Sequence, residues 1–289
     1  MNLIVETDIG HDPDDFFALC YLASAGVNIR AIMICPGDPD QIAIARLFCK
    51  EVGLDIPIGA SKLDRTKLSS GSIHHDLLKK YSQPLSAQPD GLGVDLLPEV
   101  FEKYPDSELF VIGPVTSLGE YLKNNDVKID RATMQGGFCG YHLYEPKVRL
   151  PQFEGRTWMP TFNLNGDREG ALAFLAAKIK DRQFVGKNIC HTVLYTKDQY
   201  SKMVKPQCRA AELFMEGMHL YLERHEAKKF HDPTAAVCHL HPGVGTWLTG
   251  KVQKIESGWG TVCGAEGNSD WVLADIDYDQ LWEYIYNWG

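Results

Sequence analysis

Short apolar runs alternate along this chain with longer amphipathic stretches, and most of the apolar runs end on Gly, Pro or an acid. Residues 3–6 predict a strand. Residues 14–25 predict a helix, with acids in its first turn and Gly26 just past its end, where the helix dipole and a glycine cap favour them. Ile29, Ala31, Ile32, Met33 and Ile34 form a run over 29–35 that is apolar on both faces, the mark of a buried strand. A helix over 40–52 follows, opened by Pro39 and closed by Gly53, and then a short strand over 56–58. Strands over 109–112 and 132–134 flank a helix over 117–123. Further helices are expected over 167–180 and 210–229, the second with Leu213, Phe214, Met218, Tyr221 and Leu222 on a buried stripe. The pattern describes an α/β fold in one domain spanning 1–289: an open, mainly parallel, mixed sheet with helices on both faces.

Ligands of such sheets sit outside the carboxyl ends of the strands, so Asp8, Gly113 to Thr116 and Gly136-Gly137 are expected on one rim. The stretches 61–96 and 138–160 read as long loops, the second carrying Tyr141, His142, Tyr144, Phe153 and Trp158. Connections of this length are usually lids or binding loops.

Composition narrows the field. The 289 residues are 44% hydrophobic and 10% aromatic, enough for a large core. A net charge of −9 argues against nucleic acid as a partner, because binding a phosphate backbone needs clustered cations. Eight cysteines without a CxxC pair read as reduced thiols. No basic-then-apolar leader opens the chain and no apolar stretch reaches the roughly 18 residues of a membrane span, so no membrane partner and a cytoplasmic location are expected.

The strongest chemical signal is Asp8, Asp12, Asp14 and Asp15, four carboxylates within residues 8–15, directly after the first apolar run. One or two acids before a helix are ordinary caps. Four at a buried strand end repel one another and offer the oxygen donors that a hard divalent cation needs. Zinc is not indicated, since His74-His75 and His239-Leu240-His241 lack a third ligand at recognisable spacing.

The stretch Glu6-Thr7-Asp8-Ile9-Gly10-His11-Asp12-Pro13-Asp14-Asp15 resembles the acidic motif of the calcium-dependent inosine-uridine nucleoside hydrolases. It departs from that motif by Glu6 in place of the first Asp and by two extra residues before the final pair. Further segments are similar in the family's order: Asp90 to Gly93, Ile112 to Leu118, Met134 to Gly137, Phe162-Asn163 with Asp167, and Phe230 to Ala236. The resemblance implies a Rossmann-like nucleoside hydrolase fold and a Ca²⁺ held by Asp8, Asp15, the Thr116 carbonyl and Asp232. It implies Asp8 as general base toward a cation-activated water, His231 as general acid to the departing base, and Asn163 on the ribose hydroxyls. Either Asp12 or Asp14 is the sugar-binding carboxylate, depending on which side of the insertion sets the register.

The expected activity is hydrolysis of the N-glycosidic bond of a ribonucleoside or related ribosyl compound, in a homodimer or homotetramer. Thr161 stands where the family has a Glu at the 5′ end of the sugar. With Lys147, Arg149 and Arg156 nearby in sequence, this motivates a 5′-modified or 5′-phosphorylated substrate as an alternative. A non-catalytic nucleoside or sugar sensor on the same fold is the other.

Overall fold

The computed structural model describes residues 1–10, 12–263 and 270–288. Its strands are β1 (Asn2–Thr7), β2 (Asn28–Ile34), β3 (Ile58–Ala60), β4 (Gly91–Leu92), β5 (Glu108–Val111), β6 (Ile129–Gln135), β7 (Trp158–Met159), β8 (Ile179–Val185), β9 (Leu194–Thr196), β10 (Ala227–Lys229), β11 (Gly245–Ile255), β12 (Gly258–Val262) and β13 (Asp270–Ile276). The helices are α1 (Asp14–Ser24), α2 (Pro39–Val52), α3 (His74–Lys80), α4 (Gly93–Lys103), α5 (Ser117–Asn124), α6 (Phe162–Gly166), α7 (Arg168–Ala176), α8 (Lys187–Cys190), α9 (Lys197–Lys202), α10 (Arg209–Leu222), α11 (Asp232–Leu240) and α12 (Tyr278–Asn287).

Eleven strands form one sheet in the order β4-β3-β2-β1-β5-β6-β8-β13-β11-β12-β7, while β9 and β10 pair separately. From β4 to β13 every pairing is parallel, and from β13 to β7 every pairing is antiparallel. The expected open, mainly parallel sheet is therefore present.

Both faces are covered, which is why the central strands read as unbroken apolar runs. Leu3, Val5, Ile32 and Ile34 pack with α1, α2, α10 and α11 on one side. Ile4, Ala31 and Met33 point to the other, against α4, α5 and α7. Neighbouring residues of β1 and β2 thus serve different cores.

Several boundaries differ from expectation for identifiable reasons. The helix expected over 167–180 ends at Ala176, and residues from Ile179 enter the sheet as β8. The polar residues that disguised this strand are buried and paired. Arg182 donates from Nε to Asp270 Oδ1 at 2.7 Å and from Nη1 to the Phe174 carbonyl at 2.9 Å, and Gln183 accepts from Thr133 Oγ1 at 2.9 Å. The helix over 210–229 likewise stops at Leu222, and its last residues form β10. The long stretches are not wholly loop: 61–96 carries α3, β4 and the start of α4, and 138–160 carries a 3-10 turn and the edge strand β7. The antiparallel extension of β11 to β13 lies in residues to which the sequence pattern assigned no element.

Arg182 and Asp270 are 4% and 1% exposed, and Asp270 Oδ2 also accepts from the Val252 amide at 2.8 Å. Asp270→Ala strands a buried guanidinium, and loss of one partner of a buried pair costs about 3–5 kcal/mol. Denaturant unfolding is expected to show that loss; a change below about 1 kcal/mol, the worth of an exposed pair, would refute it.

His74 opens α3 with its ring edge-on to Phe16 and Nδ1 at 2.9 Å from the Gly71 carbonyl, while Nε2 is buried without a partner. Burial pushes its imidazole down to about 4 from 6.5. The native state keeps it neutral while the unfolded chain takes up a proton below 6.5, so this stabilisation is lost as pH falls from about 6.5 toward 4, by roughly 3 kcal/mol in all. His74→Leu is expected to flatten the slope of unfolding free energy against pH in that window by about one proton. Urea titrations at pH 7, 6 and 5 measure it, and an unaltered slope counts against the assignment.

Among the described residues no helix is long and apolar enough to cross a membrane.

Candidate active site

β1 runs out at Thr7, and the chain turns back so that its end meets the first turn of α1. The Thr7 hydroxyl donates to Asp15 Oδ1 and accepts from the Ile9 amide, and the Asp8 amide donates to the same Asp15 oxygen at 3.2 Å. Gln41 of α2 donates to the Asp8 carbonyl at 3.1 Å. β5 lies close beside this turn because residue 113 is glycine: a Cβ there would stand 2.4 Å from the Asp8 nitrogen. Across the rim, α11 begins with Asp232 immediately after His231.

These ends enclose a cavity of about 320 Å³, a size suited to a small-molecule ligand. Asp8, Asp12, Asp14, Asp15 and Asp232 all line it, so residues more than 200 positions apart share one wall. His231, Thr161 and Asn163 line it as well.

The carboxylates fall into two electrostatic groups. Burial, followed by the charges of Asp12 and Asp14, pushes Asp8 up to about 7. Burial also holds Asp15 and Asp232 well above the usual carboxylate range, and each repels the acids around it. Asp14 behaves oppositely. Burial disfavours its charge, but Lys228, with Nζ at 3.3 Å from Oδ1, and His231, with backbone N at 2.9 Å and Nδ1 at 3.0 Å from Oδ2, hold it below the ordinary range. Asp12 is more exposed and lies 2.9 Å from the same Lys228.

The donor set of Asp8, Asp15 and Asp232 is all hard oxygen, with mutual repulsion that the hydroxyl and amide of the 7–8 turn soften at Asp15 and Lys228 partly offsets at Asp232. By its chemistry it fits a hard divalent cation. Among the described residues, no three His, Cys, Asp or Glu side chains stand as a ready-made metal cluster.

Thr116 is not brought to this cavity. Its carbonyl accepts from the Glu120 amide at 2.9 Å in the first turn of α5, its hydroxyl lies 3.4 Å from Cys35 Sγ, and it borders a separate depression with Asp167 and Glu169. From that segment it is Ile112, at the end of β5, that lines the cavity. Glu6 is also elsewhere: it is fully buried, accepts from the Ser117 and Leu118 amides at 2.6 and 3.0 Å, and caps α5, with burial raising it to about 8.

Asn163 is pinned by its amide nitrogen, within 3.0 Å of the Ile112 carbonyl and 2.9 Å of both the Gln135 carbonyl and its side-chain oxygen. Of the loop cations, Arg149 is engaged with Glu145 and Glu154, and neither Lys147 nor Arg156 lines the cavity. The aromatics of 138–160 do not line it either. Phe153 is buried against Phe138 and His191, and the cavity's aromatic is Phe162.

Sequence reading missed Gln135, Lys187 and His191 at the cavity, and Lys228 behind it. Their signals were present but masked. Lys187 follows Gly186 at the end of β8, where the carboxyl-edge rule places a ligand residue once β8 is recognised as a strand.

A hollow walled by acids and imidazoles, at the carboxyl edge of a parallel sheet, is where α/β enzymes hold small substrates. The class follows from comparison with known proteins: the model of the inosine-uridine preferring nucleoside hydrolase family matches residues 3–283, and the chain belongs to that family. Its fold is that of several solved structures. A plant nucleoside hydrolase is 19% identical with a TM-score of 0.72, covering 99% of this chain and 97% of that one. The inosine-uridine preferring nucleoside hydrolase from Bacillus anthracis is 16% identical with a TM-score of 0.71, covering 98% and 97%. The purine-preferring ribonucleoside hydrolase from Gardnerella vaginalis is 18% identical with a TM-score of 0.68, covering 98% and 96%. None of the curated proteins compared matches the chain. Family and fold support N-ribohydrolase activity on a nucleoside-type small molecule.

Proposed function

We propose that this chain is a calcium-dependent hydrolase that cleaves the N-glycosidic bond of a ribonucleoside or related ribosyl compound, releasing free base and ribose. The observation that carries this reading is the convergence of Asp8, Asp15 and Asp232 on one cavity beside His231. Asp8, Asp15 and Asp232 would hold the ion, with the carbonyl of Ile112, which lines the cavity, in place of that of Thr116. Bound there, Ca²⁺ would offset the repulsion among the carboxylates, grip the sugar diol and make a water more acidic.

Asp8 is the general base. Its side chain faces the cavity and is not needed for the turn, which is held by its backbone. His231 is the general acid: Asp14 takes its Nδ1, which orients the ring and leaves Nε2 to give a proton to the departing base. Asp14, not Asp12, binds the sugar. Both pair with Lys228, but Asp14 is buried in the cavity wall at 3% exposure beside His231, whereas Asp12 is 56% exposed. Asn163, fixed through its nitrogen, presents Oδ1 to a ribose hydroxyl. Thr161 lines the same cavity at the start of α6. Assembly as a homodimer or homotetramer and action in the cytoplasm complete the reading.

A reducing-sugar assay over a panel of purine and pyrimidine nucleosides, with Ca²⁺ and with chelator, tests it. Release of sugar that chelator abolishes is expected. Tight nucleoside binding without release of free base from any member would instead favour a sensor.

A further inference from the structure

The cavity has a basic flank for which the hydrolytic reading gives no use. Lys187, at the end of β8, lines it and donates from Nζ to the Pro160 carbonyl at 2.6 Å, which sets the ammonium beside Thr161. Among the described residues it forms no ion pair, unlike Lys228, which Asp12 and Asp14 neutralise. Thr161 is 4% exposed, and its buried Oγ1 has no hydrogen-bond partner. His191, which also lines the cavity, buries its Nδ1 equally unpartnered and stacks edge-on against His231 at 5.2 Å between centroids.

The electrostatics agree with that geometry. Burial, then the positive charges of His231, Lys229 and Lys187, drive His191 down to about 3, and burial and Lys229 weigh against the charge of Lys187. The wall therefore runs from acids, through His231 and His191, to an unneutralised ammonium and a buried hydroxyl without a partner. An ammonium that lines a cavity without a counterion is a ready partner for an anionic group on a ligand.

We propose that Lys187 and the Thr161 hydroxyl bind an anionic substituent, a phosphate or a carboxylate, on the ribosyl substrate, so that the preferred substrates are anionic rather than neutral nucleosides. This rests on the cavity being the substrate site. The anion is carried either on the sugar, as in a nucleoside 5′-phosphate, or on the base, as in a pyrimidine carboxylate. Ammonium and hydroxyl together make charge-assisted hydrogen bonds to either.

Binding calorimetry in Ca²⁺ buffer tests this without requiring turnover. Ribose 5-phosphate is compared with ribose, and orotidine with uridine. At least a tenfold preference for the anionic member of one pair is expected, and the pair that shows it locates the anion on sugar or base. Lys187→Met should collapse that preference to within about twofold. So should Lys187→Gln, which keeps a donor for the Pro160 carbonyl, while Lys187→Arg should restore most of it. Equal affinities within both pairs, no measurable binding of either anionic compound, or a preference that survives both neutral variants overturns the proposal. Cleavage of uridine without any anion preference would refute the basic subsite and spare the hydrolase. An anion preference with no cleavage of any ribosyl compound would do the reverse.

Discussion

Asp8→Asn is expected to lower kcat by about 10²–10⁴-fold, the range supplied by a positioned general base. The substitution is nearly isosteric, and the bonds that shape the turn involve the Asp8 amide and carbonyl rather than its side chain. Asn retains an oxygen donor, so substrate affinity should fall far less than turnover. The expected signature is a collapse of kcat with KM changed only a few-fold, the pattern of an interaction made chiefly in the transition state. Single-turnover release of base, measured beside the melting temperature, checks it. A variant within threefold of the parent kcat would remove Asp8 from the role of base.

Much of this site was legible because charge at the end of a buried strand is anomalous. Leu3, Ile4 and Val5 commit β1 to the sheet interior, and four acids within residues 8–15, just beyond them, are more than the capping of one helix requires. The distant partners could be found only by motif order, and Asn163 and Asp232 do reach the same cavity. Similarity of a short turn does not say which carbonyl faces inward. The resemblance implies a ligand at the Thr116 carbonyl, yet that carbonyl accepts from the Glu120 amide in the first turn of α5 while Ile112 stands at the wall.

The basic flank was illegible for a different reason. Ile179–Val185 contains Arg182 and Gln183, which are polar by composition and buried through Asp270 and Thr133. Those partners lie 88 and 50 positions away, beyond any local pattern. Unless β8 is a strand, Lys187 has no place on the rim, and the basic residues of the loop that precedes Thr161 are Lys147, Arg149 and Arg156. Lys228 was hidden similarly, in a helix drawn seven residues past its true end at Leu222.

Asp232→Ala should abolish calcium binding and activity together, and its effect on the metal-free protein has the opposite sign. No described donor satisfies the Asp232 carboxylate. Burial and repulsion from Asp15, Asp14 and Asp8 push against its ionisation, and Lys228 only partly offsets them. Removing it therefore strands no partner and relieves a charged cluster. The calcium-free variant is expected to melt at or above the temperature of the calcium-free parent, unlike most truncations of a buried side chain. Calcium should stabilise the parent by about 2.7 kcal/mol at a hundredfold excess over Kd, and the variant by nothing measurable. Calorimetric titration with Ca²⁺ and melting curves with and without the ion test both halves. Retained calcium affinity would exclude Asp232 as a ligand. A calcium-free variant that melts several degrees below the parent would show that the carboxylate supports the start of α11 rather than straining it.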